Sequence, residues 1–211
     1  MEVKRTRSYN SEQRERQAEA TRRRILDVAG DLFARDGYAA VSMAELARQA
    51  EVSVASLYLH FPGKAAVVQG MVDDITAAPD LSVERFEREP DPVEKMRLGA
   101  GIMRTLNERS WVVADLLRTA RAVDEDLGAL WGEWQRRHEH AVRRAIASLA
   151  ANGDLRAGAS VDDAVAAFMT LAGTEVYRML IEDHGWTGDR YEAWLFRLGC
   201  TELLGIFPEP G

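Results

Sequence analysis

Residues 42–64 read SMAELARQAEVSVASLYLHFPGK, and this stretch decides the fold of the N-terminal part of the chain. Ser42, followed three residues later by Glu45, forms a capping box, which predicts the start of a short helix. Ser53 is a second capping serine, and a proline-glycine pair ends the run. Two short capped helices joined by a tight turn are typical of a helix-turn-helix.

Helical periodicity extends on both sides of this stretch. Before it, apolar residues recur at the spacing of one helix face, and Gly37 is placed to end that helix. After it, the same spacing predicts another helix that stops before Pro79. The apolar positions are Ile25, Val28, Ala29, Leu32 and Phe33 in the first helix, and Val68, Met71, Val72 and Ile75 in the last. A longer helix is therefore expected to brace the helix-turn-helix.

Charge is distributed unevenly along the chain. The 211 residues carry a formal net charge of −7, yet residues 1–64 contain 11 basic and 9 acidic side chains, whereas residues 65–211 contain 16 and 25. The first 24 residues hold 8 basic and 4 acidic side chains, which favours contact with a polyanion at that end. Lys4, Arg5 and Arg7 form either a solvated tail or an arm that reaches a DNA minor groove.

Residues 42–64, preceded by ILDVAGDLFARDGY at residues 25–38, resemble the tetracycline-repressor (TetR) family. The resemblance covers about residues 20–75 and rests on the end of the first helix, the serine-capped second helix, the Leu-Tyr-x-His-Phe motif and the lysine after it. It implies an all-α protein with an N-terminal three-helix DNA-binding domain, residues 1–64. Residues 65–211 are expected to form a helical domain that binds an effector and dimerises.

The resemblance also implies which residues meet DNA. The second helix of the pair lies in the major groove in this family, so the residues expected to face the duplex are Ser53, Val54, Ala55, Ser56, Tyr58 and His60. The expected phosphate contacts come from the backbone amides of Ser42 and Met43 and from the side chains of Tyr58, His60 and Lys64. Arg5 and Arg7 of the arm complete the predicted DNA-binding set. Packing between helices is the alternative role for the tyrosine and the histidine.

The predicted recognition helix offers few hydrogen bonds to bases. Val54 and Ala55 have no hydrogen-bonding side chain, and Leu59 stands where the family often has an aromatic residue. We therefore expect contact with thymine methyl groups to carry most of the base readout, with Ser56 bonding a base edge. Leu57 is expected to face inward together with the phenylalanine of the motif.

Helix signals continue through the C-terminal part of the chain. Helix caps are predicted at Asp91, Ser110 and Ser160. A long helix with one apolar face is predicted over residues 127–149, and Gly153 is placed to end it. The TetR resemblance implies a ligand pocket here, which the pattern does not locate. Side chains suited to lining a pocket for an apolar or aromatic ligand are Met103, Trp111, Trp131, Trp134 and Met169, with core packing as the alternative for each tryptophan.

The last two predicted helices carry apolar faces that we expect to pair two copies of the chain. The first of them, residues 161–173, is small and apolar nearly all round, which predicts burial on more than one side. The expected dimer interface comprises Val165, Phe168, Ala172, Trp194, Leu195 and Leu198. A monomer with an internal bundle is the alternative, but two recognition helices on DNA need a fixed spacing, which favours the homodimer.

A helical enzyme is the competing interpretation, and the sequence does not support it. His138 and His140 are two residues apart and lie on different sides of a helix, so they do not predict a metal site. The sequence has no glycine-rich phosphate loop, and its single cysteine, Cys200, is expected to be a buried small hydrophobe. We therefore expect no catalytic residue, cofactor or metal. A helical adaptor would not need the N-terminal motif.

These patterns predict a cytoplasmic, sequence-specific DNA-binding transcriptional regulator. The cytoplasmic expectation rests on the absence of an apolar run of roughly 18 residues and of a secretory signal, which also argues against a membrane partner. The expected partners are a double-stranded DNA operator, a small apolar or aromatic effector and a second copy of the chain. Repression, with release from a palindromic operator when the effector binds, is what the resemblance implies.

Overall fold

The computed structural model describes residues 3–78, 81–122 and 124–207, with the backbone alone for residues 3–12. These residues form ten α-helices and no β-strand, so the all-α prediction is confirmed. The helices are α1 (Val3–Asp36), α2 (Met43–Gln49), α3 (Val54–His60), α4 (Lys64–Thr76), α5 (Val83–Arg88), α6 (Pro92–Ala120), α7 (Glu125–Asn152), α8 (Val161–Leu171), α9 (Thr174–Arg178) and α10 (Gly188–Gly199). A π-helical turn extends α9 over Met179–Asp183, and another extends α10 over Cys200–Leu204.

The chain divides into two compact units, residues 1–71 and residues 72–211. The division falls inside α4, seven residues after the expected boundary at residue 64. Helix α4 therefore contributes residues to both units, because its first turns belong to the N-terminal unit and its last turns to the C-terminal unit.

The N-terminal unit folds as the capping pattern predicts. The Ser42 hydroxyl accepts a hydrogen bond from the Glu45 amide at 3.1 Å, and the Ser53 hydroxyl accepts one from the Ser56 amide at 3.0 Å. Between α2 and α3, Glu51 adopts a left-handed conformation with φ 53°, a region that residues other than glycine rarely occupy. The amide of the next residue bonds back to the Ala47 carbonyl at 3.0 Å, which closes a Schellman motif.

The first helix begins earlier than expected. Its backbone is helical from Val3 to Asp36, so the segment that carries Lys4, Arg5 and Arg7 is neither the extended arm nor the unstructured tail that we expected. A physical reason is available in the sequence, because residues 3–29 contain no glycine or proline and many of them are strong helix formers. Helix propensity therefore continues through the basic region without a signal that would stop it.

The C-terminal unit is a helical bundle in which α6 packs against α7, α9 and α10, and α7 packs against α8. Its buried polar centre is Asn107, which is 1% exposed. The Asn107 amide nitrogen donates to the Ala172 carbonyl at 3.0 Å and lies 2.9 Å from the Tyr191 hydroxyl. These bonds join α6 to the end of α8 and to α10. The Tyr191 ring also packs edge-on against Tyr177, with ring centroids 4.9 Å apart.

One prediction about this unit was wrong, and one helix in it was missed. Ser110 does not cap a helix, because α6 runs without a break from Pro92 to Ala120 and buries Ser110 on its inner face. Serine favours caps, but the apolar period of α6 continues through this position and overrides that preference. Helix α5 was not predicted at all. The caps at Asp91 and Ser160 and the end at Gly153, with φ 79°, are confirmed.

Substitution of Asn107 tests the polar centre of the bundle. Asn107→Ala leaves the Tyr191 hydroxyl without its donor and the Ala172 carbonyl with only the longer bond of 3.4 Å from that hydroxyl. We expect this change to lower the free energy of unfolding by about 2 kcal/mol. Tyr191→Phe keeps the bond from Asn107 to Ala172 and is expected to cost about half as much. Urea unfolding followed by tryptophan fluorescence reports on this unit, since all five tryptophans lie at or beyond Trp111. Equal losses of unfolding free energy in the two variants would contradict the assignment of separate hydrogen bonds from Asn107 to Ala172 and to Tyr191.

Candidate functional site

Helix α3 presents an apolar face to solvent. Leu59 is 88% exposed, Tyr58 49% and Val54 44%, and Ala55 is exposed between them. These residues are contiguous on the helix surface, and the flanking Ser56 and His60 are partly exposed. The exposure of Leu59 was not predicted, although its position almost opposite the inward-facing Leu57 carried that signal.

The opposite side of α3 is buried. Leu57 is fully buried and Phe61 is 3% exposed, as expected for both. The guanidinium of Arg22 on α1 lies 5.5 Å from the centre of the Phe61 ring. On α4, a Cβ atom at Gly70 would come within 2.8 Å of the same ring, so a glycine is needed for this close approach. Phe61 therefore fixes the C-terminal end of the recognition helix against α1 and α4.

The N-terminus of α2 is held by Lys64. The Lys64 ammonium donates hydrogen bonds to the backbone carbonyls of Tyr38 at 2.5 Å and Val41 at 2.8 Å, with the Ala39 carbonyl at 3.5 Å. It also lies 4.2 Å from the centre of the Tyr38 ring. The predicted contact with a phosphate would use one of the three N–H donors of the ammonium. In the structure these donors face backbone carbonyls instead, so Lys64 fixes the segment that leads into Ser42.

An acidic side chain in the first turn of α2 is neutralised locally. The Arg48 guanidinium binds the Glu45 carboxylate with contacts of 2.6 and 2.9 Å, and Gln49 donates to the same carboxylate at 3.0 Å. These hydrogen bonds, with that from Arg48 as the largest contribution, lower the pKa of Glu45 to about 2. The exposed Ser42 and the partly exposed Met43, predicted to offer their amides to a phosphate, thus begin a helix whose acidic residue is paired.

The C-terminal unit contains an apolar cavity of about 120 Å³ among α5, α6, α7, α8 and α10. Phe86, Met96, Met103 and Phe168 contribute to its walls, and His138 is the single polar side chain among the lining residues. Burial in this wall lowers the pKa of His138, so the imidazole is neutral at neutral pH. Phe86 was not predicted to line a cavity because helix α5, which carries it, was not predicted. For α6, the spacing of Met96 and Met103 on one helix face was the signal that could have indicated cavity-lining residues.

The residues predicted to bind a ligand are divided between two places. Met103 lines the apolar cavity of about 120 Å³, whereas Trp131, Trp134 and Met169 line a smaller cavity of about 50 Å³. The two cavities share Leu106 and His138. Trp111 lines neither and packs against the core formed by α6, α9 and α10. The small cavity also contains Ser110, whose buried hydroxyl has no hydrogen-bond partner among the described residues.

The predicted dimer interface needs correction at Val165, Ala172 and Leu195. These residues are 3%, 1% and 2% exposed and belong to the core of their own protomer, so they are not available to a partner. The prediction took the wrong side of α8, because a helix that is apolar all round does not reveal by its period which side meets its own core. Phe168, Trp194 and Leu198 are partly exposed and stay predicted.

The side of α8 that faces solvent is also apolar, with Ala166 and Ala167 exposed. The stretch Val161–Asp183 contains an 18-residue window with a mean hydropathy of 1.3, of which 22% is buried in the protomer. By length and composition alone it is the one stretch among the described residues that could cross a membrane. Those residues contain no group of three or more histidine, cysteine, aspartate or glutamate side chains that could hold a metal ion.

Comparison with known proteins identifies the N-terminal unit. Residues 25–71 match the family described as bacterial regulatory proteins, tetR family. The N-terminal unit therefore contains a TetR-family domain. The resemblance expected from the residues around the recognition helix is therefore confirmed.

Curated relatives match less than half of this chain, between 33% and 42% of its length. The HTH-type transcriptional regulator SrpR of Pseudomonas putida is 35% identical over 75 residues, which cover 33% of this chain and 35% of SrpR. The chain spans between 26% and 56% of the length of the curated relatives compared with it.

Solved structures extend the likeness to most of the chain. NalD, the secondary repressor of the MexAB-OprM multidrug efflux pump in Pseudomonas aeruginosa, superposes with a TM-score of 0.68 at 20% identity and covers 90% of this chain and 98% of NalD. A complex of SmeT with triclosan superposes with a TM-score of 0.72 at 20% identity, over 91% of this chain and 99% of SmeT. At this identity the likeness establishes a shared fold.

Lys64→Met tests the structural role of this lysine in the TetR-family domain. The variant leaves the Tyr38 and Val41 carbonyls without their donor, so we expect faster hydrogen exchange in α2, by about tenfold. Arg48→Met removes the exposed ion pair with Glu45 and leaves the carbonyl contacts intact. It is expected to speed exchange in α2 by no more than about twofold, because an exposed pair of this kind contributes only a few tenths of a kcal/mol. DNA affinity of the Lys64 variant is expected to fall without a change in its salt dependence. A slope reduced by about one charge, with normal exchange in α2, would instead identify Lys64 as a phosphate contact.

Proposed function

We propose that this chain is a sequence-specific DNA-binding transcriptional repressor that a small molecule releases from an inverted-repeat operator. The observation that carries the proposal is the exposed face of α3 on a TetR-family domain, with Val54, Tyr58 and Leu59 presented to solvent. A soluble domain that exposes a contiguous apolar surface on a short, rigidly anchored helix has a binding surface. On a helix-turn-helix, the partner that fits this surface is the major groove of DNA.

The chemistry of this face favours reading thymine. The side chains of Val54, Ala55 and Leu59 offer methyl groups and no hydrogen bonds, and the thymine C5 methyl is the apolar group in the major groove. Tyr58 and His60 lie at the edge of the same helix, where polar side-chain atoms reach phosphates. The amides at the start of α2 supply a second grip on the backbone. Arg5 and Arg7 contribute positive charge from the helical extension of α1 and not from a flexible arm.

Thymine readout can be tested on an operator obtained by selection from random duplexes. Replacing a contacted thymine with uracil removes one methyl group, and we expect each such change to weaken binding by about fourfold, as for one buried methyl. In Val54→Ala, the loss of affinity caused by uracil should fall towards zero at one operator position. The reason is that the side chain that contacts the thymine methyl group at this position has been removed. Mobility-shift titrations at fixed salt measure both effects.

Tyr58→Phe is the matched control for that experiment. It removes one polar atom from the same helix, so it should weaken binding similarly on thymine and uracil duplexes and leave the penalty intact. The proposal fails if the selection enriches no sequence, or if uracil is tolerated at every position of the enriched site.

Homodimerisation is the second part of the proposal. The stretch Val161–Asp183 is apolar yet largely outside the core of its own protomer, and α10 also exposes Ala193. Small side chains on the exposed faces of α8 and α10 allow close approach of a second copy and a four-helix bundle across a two-fold axis. A dimer places two recognition helices on two half-sites, which accounts for an inverted repeat.

Charge placed on the exposed face of α8 tests the dimer. In Ala167→Arg a cation would be buried between the two copies, so we expect a monomer by light scattering at micromolar concentration. Ala151→Arg, at an exposed alanine near the end of α7, is the control and should remain a dimer. Operator affinity should fall for the first variant alone. A wild-type monomer that binds one half-site as tightly as the full repeat would exclude this part of the proposal.

Release by a ligand is the third part. The apolar cavity accommodates a small effector, and SmeT of the same fold is known in complex with triclosan. Helix α4 begins at Lys64, which fixes the segment before α2, and continues to Val72 and Ile75, which are buried. A ligand that favours a different position of α4 therefore changes the spacing of the recognition helices. Linkage requires that operator DNA weaken the ligand by the same factor. A cytoplasmic location and a non-enzymatic role belong to the same proposal.

A further inference from the structure

The smaller cavity of the C-terminal unit contains a polar group that the fold leaves unsatisfied. Ser110 lines this cavity and is 0% exposed, and its hydroxyl has no hydrogen-bond partner among the described residues. A hydroxyl buried in this way has given up its hydrogen bonds to water and gained none in exchange. A ligand group that forms a hydrogen bond in this cavity would recover that loss.

The smaller cavity adjoins the apolar cavity, because Leu106 and His138 line both. On α6, Met103 lines the apolar cavity and Ser110 lines the smaller one, with Leu106 between them in sequence. On α7, Trp134 lines the smaller cavity one turn before the shared His138. The two cavities therefore lie end to end along α6 and α7. Met103 and Ser110 are seven residues apart, which is about 10 Å along a helix.

The charges around the two cavities favour a ligand without charge. Burial lowers the pKa of His138, so its imidazole is neutral. The described residues that line the two cavities include no lysine or arginine, so a buried anion would have no cation beside it. Glu175 is the one carboxylate among them, and it is exposed and lies 4.0 Å from the Arg118 guanidinium. A buried cation would therefore not find a buried partner there.

The volumes of the cavities limit the size of the ligand. The apolar cavity of about 120 Å³ is somewhat smaller than the engineered cavity of about 150 Å³ that admits benzene, so it holds a body of about six carbon atoms. The smaller cavity of about 50 Å³ has room for about three groups the size of a water molecule. A hydroxyl group fits this space, and it both donates and accepts hydrogen bonds, as do the Ser110 hydroxyl and a neutral imidazole.

We infer that the effector is an uncharged alcohol or phenol whose apolar body lies in the apolar cavity and whose hydroxyl forms a hydrogen bond with Ser110 in the smaller one. This inference rests on the proposed function only in naming the ligand an effector. Burial of the body supplies most of the affinity, and Ser110 selects the polar end. A hydrocarbon of the same shape would leave the Ser110 hydroxyl unpaired, and an ion would be buried without a counter-ion.

Matched probes test the charge of the polar end. We would titrate the full-length protein with benzyl alcohol, benzylamine and benzoate, and with 1-hexanol, hexylamine and hexanoate, and follow tryptophan fluorescence, since Trp131 and Trp134 line the smaller cavity. Each series keeps one body and carries a neutral, a cationic or an anionic group at neutral pH. We expect at least one alcohol to bind at least about tenfold more tightly than both of its ions. Tighter binding of an ion, equal affinities within both series, or no binding of either alcohol would overturn the inference.

Ser110→Ala assigns the preference to this hydroxyl. The comparison compounds are ethylbenzene and heptane, in which a methyl group replaces the hydroxyl of benzyl alcohol and of 1-hexanol. In the variant, the affinity of the alcohol relative to its hydrocarbon should fall by about tenfold, which is the contribution of one buried hydrogen bond. The ligand-free variant should melt at the same or a higher temperature, because the hydroxyl that it loses has no partner.

Ser148→Ala is the matched control for that variant. Ser148 on α7 donates to the Ala145 carbonyl at 2.8 Å and is not among the residues that line either cavity, so its loss should leave the ratio of affinities unchanged. A ratio that is the same in the wild type and in Ser110→Ala would overturn the assignment, since the Ser110 hydroxyl would then serve a buried water and not the ligand.

Operator binding separates this inference from the proposed function. An alcohol that binds through Ser110 and leaves the protein–operator complex intact would support the site and exclude ligand release. Tight operator binding without any preference for an alcohol would support the DNA-binding function and exclude the site.

Discussion

Leu57 on α3 and Phe61 immediately after it are both buried, and a helix of seven residues depends on this burial to remain folded. An isolated helix of this length is unstable in water, because the cost of nucleation exceeds the gain from so few hydrogen bonds. The cap at Ser53, the left-handed turn at Glu51 and the Phe61 contact with Gly70 all serve to hold this short segment. The rigidity of the helix allows its other side to be apolar and exposed, since the exposed residues cannot collapse inward.

Features with a local cause could be predicted from the sequence. The caps at Ser42, Ser53, Asp91 and Ser160 depend only on side chains within a few residues of the helix start. The motifs that identified the family are likewise short runs of neighbouring residues. Features decided by tertiary packing could not. Ser110 has the chemistry of a cap, and only the packing of the whole of α6 shows that it is buried.

The same limit explains the errors in the candidate sites. Periodicity marks α8 as apolar, but the choice between Val165 and Ala167 as the outward residue depends on where α7 packs. Tryptophans were reasonable candidates for a pocket because of their size, and the larger cavity is lined instead by Phe86, Met96 and Met103. The two lysines show the contrast most clearly. Lys64 donates hydrogen bonds to backbone carbonyls, and no pattern of residues in the sequence predicts such contacts. Lys95 is buried, although lysine side chains are usually exposed.

Under the proposed dimerisation, the apolar surface of Val161–Asp183 would tie the stability of the chain to its abundance. A single protomer would keep the exposed part of this stretch in water, and association with a second copy would remove that part from solvent. Under the proposed pairing, the law of mass action makes the folded fraction rise with total concentration. At low copy number more of the chain is single, and a single chain with an exposed apolar helix is a better substrate for proteases and chaperones. The amount of folded protein in a cell would then depend on dimerisation as well as on synthesis. A modest fall in expression would therefore lower the concentration of operator-binding dimers more than proportionally.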